Sequence, residues 1–299
     1  MNSIKTILLS AAILGLPAIA SAQSYAEGEF RVHDRAVGEL SHGTRAPSTT
    51  DLVSVIRTGT PSALSSMLEY GERVECHECV PLLEARLLTD ANPEVRGVAA
   101  WWLARRPFGF AAVMHDIRTV LATDADPVRR ERAAEAIGNF ADPHGVAHLT
   151  TAFDTDAVSA VRVAAVRGLA AINAPGGLAV ITRALGDADA AVRAAALQSV
   201  TRVNFFSDYD ALLPLLADGD AALRRRAATV IGSLRVESAV VVLAALLRNT
   251  AEDTGVRREA AWALGRIGGS AADLALGEVL ATETNAQVRN AIEVARDLR

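Results

Sequence analysis

Lysine is almost missing from this sequence, because its 299 residues contain only Lys5. A lysine Schiff base or a lysine general base therefore cannot operate anywhere beyond residue 5. Positive charge is not in excess either: Lys and Arg number 30 against 35 Asp and Glu, which gives a formal net charge of −5. A nucleic-acid scaffold normally presents a basic surface, so the charge balance argues against a nucleic-acid partner.

Cysteine is also scarce, and the two that occur, Cys76 and Cys79, share one Cys-x-x-Cys tetrapeptide. Pro81 follows closely, which places the pair at a helix N-terminus. In an oxidising compartment a structural disulfide is the simplest interpretation. A redox-active pair remains open, as does a metal or attachment site. A c-type haem would need His in place of Val80, and zinc would need two further ligands. No cofactor is predicted.

Long apolar runs are limited to the N-terminus. Lys5, an apolar stretch over residues 6–20 and the small-x-small sequence at residues 20–22 predict a secretory signal peptide over residues 1–22. The mature protein is then expected in the periplasm or outside the cell, without stable membrane insertion; a retained N-terminal anchor is the alternative. Residues 23–49 are polar, contain several glycines and lack periodicity, so we expect an extended or disordered segment there.

The rest of the chain is built from one block that occurs seven times. Its clearest copy, DADAAVRAAALQSV, runs from Asp187 to Val200. An arginine holds the same place in every copy, and successive arginines are 31 to 34 residues apart. These arginines are Arg96, Arg130, Arg162, Arg193, Arg224, Arg257 and Arg289. In every copy but the last, alanine follows three residues later and Leu, Ile or Val seven residues later, which places both on one helical stripe.

A period of about 32 residues accommodates two short helices and two turns, and one such pair cannot bury its apolar face alone. Neighbouring pairs must stack, so the predicted fold is all-α, an α-solenoid of about seven helix pairs. Residues 50–75 are predicted to form a leading capping pair, residues 76–284 the repeats, and residues 285–299 a C-terminal cap. Gly138, Gly232 and Gly265 are predicted to be C-terminal caps of second helices.

The block Asp…Val-Arg-x-x-Ala-Ala-x-x-Leu resembles HEAT-like repeats, in particular the short bacterial variety of the phycobilin lyases, from about Pro61 to Arg299. The resemblance implies an architecture and little about function, because the same repeat carries scaffolds, lyases and a few enzymes. It also implies a structural ladder, in which an acid six residues before the arginine caps the second helix and the arginine bonds to a neighbouring repeat. An acid at a helix N-terminus suits that role. The residues six before the arginine are Asp90, Asp124, Asp156, Asp187, Asp218, Ala251 and Glu283.

Several residues are candidates for contact with a partner. Tandem Trp101 and Trp102 face different sides of one helix, so we expect one in the core and the other as an exposed anchor. On a concave side, a row of arginines would receive an acidic peptide or another anion; the alternative is a solvated surface paired with neighbouring glutamates. The arginines that stand beside ladder positions are Arg129, Arg132, Arg225, Arg226 and Arg258.

The sequence as a whole favours an exported scaffold that binds a protein or peptide partner, acidic if the arginine row is used, through a curved surface. The alternative function is a lyase or a redox or attachment factor that uses Cys76 and Cys79. No acid/base set or phosphate-binding glycine loop is evident in the sequence, which makes an enzyme the less favoured class.

Overall fold

A computed structural model describes residues 46–106 and 109–297. The predicted signal peptide lies outside these residues, and so does most of the predicted segment 23–49. The last residue of that segment, Thr49, is the first residue of the first helix, with Ser48 as its N-cap.

The described residues fold into fifteen α-helices and three 3-10 helices, and no strand occurs among them. The α-helices are α1 (Thr49–Thr58), α2 (Pro61–Tyr70), α3 (Cys79–Thr89), α4 (Pro93–Leu103), α5 (Phe110–Thr123), α6 (Pro127–Phe140), α7 (Gly145–Thr155), α8 (Ser159–Ile172), α9 (Leu178–Ala184), α10 (Ala190–Val200), α11 (Ala221–Leu234), α12 (Val240–Arg248), α13 (Thr254–Ile267), α14 (Ser270–Thr282) and α15 (Ala286–Arg296). The 3-10 helices are Pro175–Gly177, Tyr209–Ala217 and Glu237–Ala239.

The helices form pairs, and each pair has an outer helix followed by an inner helix. The inner helices are α2, α4, α6, α8, α10, α11, α13 and α15. Successive inner helices pack against one another more extensively than successive outer helices do. The stack therefore curves, and the inner helices line its concave side. The prediction of an all-α solenoid is confirmed, with seven repeats after the leading pair α1–α2.

The outer helix of the fifth repeat departs from this pattern. Tyr209–Ala217 is a 3-10 helix and contains Pro214. Proline has no backbone N–H and its ring clashes with the carbonyl of the preceding turn, so an α-helix is disfavoured there. Leu212, Leu215 and Leu216 are nevertheless buried, so this stretch fills the place of an outer helix in the core.

The core follows the repeat. The alanines three residues after the ladder arginines are all fully buried: Ala99, Ala133, Ala165, Ala196, Ala227 and Ala260. Small side chains at these positions let the inner helices approach closely, because the distance between helix axes depends on the side chains between them.

The glycines predicted as C-terminal caps have a different role. Gly138, Gly232 and Gly265 lie inside α6, α11 and α13. A Cβ atom on Gly138 would lie 2.5 Å from the Cα of Gly168 in α8. These glycines are therefore crossing points between inner helices, and the prediction was wrong because periodicity does not distinguish a crossing from a helix end. The cap of α6 is Ala141, in the left-handed conformation with φ 53°.

Five of the ladder arginines pair with a carboxylate at, or one residue from, the ladder position of the next repeat. The pairs are Arg130–Asp156, Arg162–Asp187, Arg193–Asp218, Arg224–Glu252 and Arg257–Glu283. In the third, Nε and Nη2 of Arg193 donate to the two oxygens of Asp218 at 2.6 and 3.0 Å. Nη1 donates to the carbonyl oxygens of Asp187 and Ala188 at 2.8 and 2.9 Å. Arg130, Arg162 and Arg224 repeat this pattern, so each closes its own turn and also binds the next repeat. Arg257 donates to the carbonyl oxygen of Leu247 in α12 instead.

The ladder acid does not cap the second helix, contrary to what the resemblance implies. Asp218 accepts a hydrogen bond from the backbone N–H of Asp220 at 2.9 Å, and Asp220 accepts one from the N–H of Ala222, in α11, at 2.8 Å. The ladder acid stands two residues too early to reach the helix. The residues whose side chains cap the inner helices are Thr60, Asn92, Asp126, Asp189, Asp220, Asp253 and Asn285.

The ladder also changes at the sixth repeat, where Ala251 stands at the acid position. Arg224 binds the neighbouring Glu252 instead, with Nη2–Oε1 and Nε–Oε2 distances of 2.6 and 3.0 Å. The glutamate side chain is one methylene longer than aspartate, and this length compensates for the shift of one residue.

The ends of the ladder are irregular. Arg96 binds Glu135 in α6, with an Nε–Oε2 distance of 2.9 Å, because Arg129 holds Asp124 at 2.7 Å. Asp90 pairs with Arg86 in its own repeat. At the other end, Arg289 donates to the carbonyl oxygen of Glu283 at 3.1 Å.

The ladder predicts acid sensitivity. The hydrogen bond from Arg193 lowers the pKa of Asp218, and that from Arg224 lowers the pKa of Glu252. A carboxylate whose pKa is lowered in the folded protein contributes its full stabilising free energy above its unfolded pKa of about 4. This contribution is lost as the pH falls through the pKa of the folded protein. We expect a constant urea midpoint from pH 7 to 5 and a steep fall below pH 4.

A variant checks the origin of this fall. Asp218→Asn should lower the midpoint at pH 7 and show a smaller further loss below pH 4, because one contributing carboxylate is already absent. If the urea midpoint of Asp218→Asn fell between pH 7 and a pH below 4 by as much as that of the wild type, the ladder would not be the origin of the acid sensitivity.

Candidate binding surface

The cysteine pair lies at the start of α3. The sulfur atoms of Cys76 and Cys79 are 2.00 Å apart, which is a disulfide. Both residues are buried in the core, with exposed fractions of 3% and 0%. A buried disulfide offers no thiolate, which is the species that acts as nucleophile or metal ligand. The arrangement therefore closes the loop before α3 and leaves no reactive group at the surface.

The tandem tryptophans face different environments. Trp102 is fully buried, and the guanidinium of Arg106 lies 4.0 Å from its ring centroid. Trp101 is half-buried, and Arg105 covers its ring at 4.4 Å. Arg105 also forms an ion pair with Glu72 at 3.2 Å. A partner that contacts the ring of Trp101 would therefore first have to displace Arg105.

The arginines beside the ladder fall into two groups. In the first group, Arg129 donates to Asp124, and Nη1 of Arg132 donates to the carbonyl oxygen of Leu88 at 3.1 Å. Leu88 lies in the last turn of α3, where carbonyl groups lack helical partners. These two side chains are engaged within the solenoid.

The second group consists of Arg225, Arg226 and Arg258, which are exposed. Among the described residues, none of the three guanidinium groups takes part in an ion pair or hydrogen bond. They stand at the starts of the adjacent inner helices α11 and α13, where the helix dipoles add positive potential. The structure thus places three exposed cations, without a direct ion pair to any described residue, on two adjacent inner helices.

A shallow cleft of about 230 Å³ lies between α11 and α13, and its lining residue Trp262 stands one helical turn after Arg258. Its apolar lining consists of Ala228, Gly232, Ala263 and Trp262, and its polar lining of Thr229, Glu259 and Arg266. The hydroxyl of Thr229 donates to Oε2 of Glu259 at 3.0 Å. Arg258, Trp262 and Arg266 are spaced by four residues, so they lie along one face of α13. The cleft therefore offers small apolar residues and an aromatic ring, with one cation, Arg266, and one carboxylate, Glu259, in its lining and Arg258 one helical turn before the ring.

Trp262 and Arg266 belong to this surface although the arginine-based interpretation did not single them out. Their signal in the sequence is the spacing of four and eight residues from Arg258 on one helix. Gly232 contributes because it has no side chain to fill the space. This space becomes a cleft only where α11 packs against α13, which the sequence does not show.

Within the described ranges, no group of three or more His, Cys, Asp or Glu side chains could hold a metal ion. None of the helices in the same ranges combines the length and apolar character that a bilayer crossing requires.

The family profile for HEAT repeats matches residues 80–164 and 209–296, more than half of the chain. The protein therefore belongs to the HEAT-repeat family, as the repeated block predicts. No curated protein matches its sequence.

Two solved structures, YibA and Kap95p, support the fold. YibA of Escherichia coli aligns with a TM-score of 0.54 at 15% identity, over 86% of this chain and 98% of YibA. Kap95p, solved in a study of its binding to RanGDP, aligns with a TM-score of 0.59 at 14% identity, over 84% of this chain and 39% of Kap95p. The CpcE–CpcF phycocyanin lyase complex of Nostoc sp. PCC7120 aligns with a TM-score of only 0.36 at 18% identity, over 87% of this chain and 97% of that one.

Proposed function

We propose that this protein is an exported HEAT-repeat scaffold that binds an acidic protein or peptide segment on its concave side. One observation carries the proposal: Arg225, Arg226 and Arg258 are exposed cations without an ion pair to any described residue on the two inner helices, α11 and α13, that also form the cleft of Trp262. In a chain with a net charge of −5, such a local concentration of positive charge attracts carboxylates that the rest of the surface repels.

The cleft supplies a second contribution. An apolar or aromatic side chain of the partner would lie against Trp262 and the small residues Gly232 and Ala263. Acidic residues on either side of this anchor would meet Arg258 at one end and Arg266 at the other. Buried aromatic anchors surrounded by charge pairs are typical of binding hot spots.

The test uses the mature protein and a fluorescein-labelled peptide rich in aspartate and glutamate with a central phenylalanine. Fluorescence anisotropy at low salt should show saturable binding. Arg225→Glu combined with Arg226→Glu should raise Kd at least about tenfold, because two attractions become repulsions. Trp262→Ala should also weaken binding.

The matched control is Arg57→Glu combined with Arg73→Glu, which changes the net charge equally at exposed positions in and after the leading pair. This variant should bind like the wild type. If both double variants lost affinity for the peptide equally, the effect would come from net charge alone, and this result would contradict a defined site.

Export is part of the proposal. It is supported by the predicted signal peptide and by a disulfide, which persists in oxidising compartments. N-terminal sequencing of protein from its natural host should find Gln23 first, and a chain that still begins at Met1 would refute export.

The alternative function requires a reactive cysteine pair. Burial of Cys76 and Cys79 argues against it. We expect native protein to show no thiol titre before or after mild reduction. Rapid reduction that releases a thiol reactive at neutral pH would instead support a redox or attachment role.

A further inference from the structure

A larger cleft lies on the outer side of the stack, between α5 and α7, with a volume of about 390 Å³. This falls within the range of roughly 300–1,000 Å³ that is usual for small-molecule sites. Leu121 and Ala152 provide apolar lining, while Arg118 and His148 provide polar groups. The cleft shares no residue with the concave surface, so the argument below does not rest on the proposed function.

Most charges in the cleft compensate one another. Arg130 binds Asp156, with an Nε–Oδ2 distance of 2.7 Å. Asp124 is held by Arg129, also at 2.7 Å. These two pairs leave Arg118 as the remaining cation. Its Nε atom is buried and has no hydrogen-bond partner among the described residues. The guanidinium of Arg118 therefore lies in the cleft without an ion pair among the described residues, and an anionic ligand at its terminal Nη atoms would supply one.

Asp142 is the carboxylate whose charge reaches Arg118. Burial raises the pKa of Asp142, but the hydrogen bonds from His144 and the charges of His144 and Arg118 lower it more, so the group stays ionised. Its Oδ1 atom accepts from the backbone N–H of His144 at 2.9 Å and lies 2.8 Å from the ring Nδ1. Asp142 therefore weakens the field of Arg118 without forming an ion pair with it.

His148 is the second polar group. Its side chain is exposed overall, but partial desolvation and the neighbouring charge of Arg118 both lower its pKa, so the neutral ring with one N–H to donate predominates at pH 7. The hydroxyls of Thr151 and Thr155 already donate to carbonyl oxygens along α7, at 3.0 and 2.8 Å. Recognition of an anion in this cleft thus depends on Arg118 and His148.

We propose that this cleft binds a small organic carboxylate, whose oxygens accept hydrogen bonds from Arg118 and His148 and whose carbon skeleton lies against Leu121 and Ala152. A planar carboxylate matches the fork of a guanidinium. A single uncompensated cation, with carboxylates nearby, favours one negative charge at this position over the two of inorganic phosphate.

The test follows the ring signals of His148 by NMR, assigned through their loss in His148→Gln. Sodium butyrate is added to the full mature protein at constant ionic strength, with sodium phosphate and sodium chloride as comparison salts. Butyrate should shift the His148 signals saturably and raise its pKa, because an anion then lies beside the ring. The comparison salts should give smaller shifts that do not saturate.

Variants make the assignment specific. Arg118→Met keeps the packing of the side-chain stem and should raise the Kd for butyrate at least about tenfold. Asp142→Asn should lower it about threefold by removing a competing charge. Arg57→Met should change nothing. Butyrate shifts that persist in folded Arg118→Met, tighter binding of phosphate, or no saturable shift in the wild type would each overturn the proposal.

Discussion

Arg257→Met lowers the free energy of unfolding by about 3–5 kcal/mol, because it leaves the Glu283 carboxylate buried without its cation. The two side chains are only 4% and 3% exposed. Arg257 also donates to the carbonyl oxygen of Leu247 through Nε and Nη2, at 3.1 and 3.0 Å, and these bonds are lost as well. Urea denaturation followed by circular dichroism measures the change.

Arg248→Met is the matched control, since Arg248 and Glu278 form an ion pair on the surface with about half of each side chain exposed. Exposed pairs contribute about 0–1 kcal/mol, so this variant should be nearly neutral. The double variant Arg257→Met with Glu283→Met should recover most of the loss, because no buried charge remains. Equal effects of the two single variants would contradict the buried pair.

Gly138→Ala destabilises the protein by about 1–3 kcal/mol, even though alanine is the better helix former by about 1 kcal/mol. The new Cβ atom would lie 2.5 Å from the Cα of Gly168, which is backbone and cannot rotate away. The inner helices α6 and α8 must then separate, and the contacts between two repeats weaken. Thermal and urea denaturation both report this change.

Gly277→Ala is the same substitution at a place where the chain leaves room. Gly277 lies inside α14, and no atom outside its own helix lies within 4 Å of a Cβ built there. This variant should stabilise the protein by about 0.5–1 kcal/mol. The two glycine variants should therefore differ in sign, and a stabilising Gly138→Ala would show that the inner helices are not in backbone contact.

The repeated block predicts the fold because the same residue types stand at the same helical spacing in each copy and make the same contacts. The stripe of buried alanines and the arginine frame follow from helical spacing alone. The ladder partner Glu252 does not, since it stands one residue away from the frame and reaches Arg224 through a longer side chain. The role of Gly138 also escapes periodicity, because it depends on which helix crosses it.

The candidate sites were less predictable. The arginines that stand beside ladder positions look alike in the sequence. In the structure, Arg132 donates to the carbonyl oxygen of Leu88, whereas Arg225 has no such partner among the described residues. That difference is decided by carbonyl groups brought near from another repeat. Arg118 gives no signal in the sequence at all, because its unsatisfied Nε becomes apparent only when the neighbouring ion pairs are known.

The most direct test of the account is hydrogen–deuterium exchange on the mature protein, free and saturated with the acidic peptide. Binding on the concave side predicts slower exchange in α11 and α13, with the outer helices α12 and α14 unchanged. Slower exchange confined to α12 and α14, or no change in any helix while anisotropy reports a bound peptide, would contradict it.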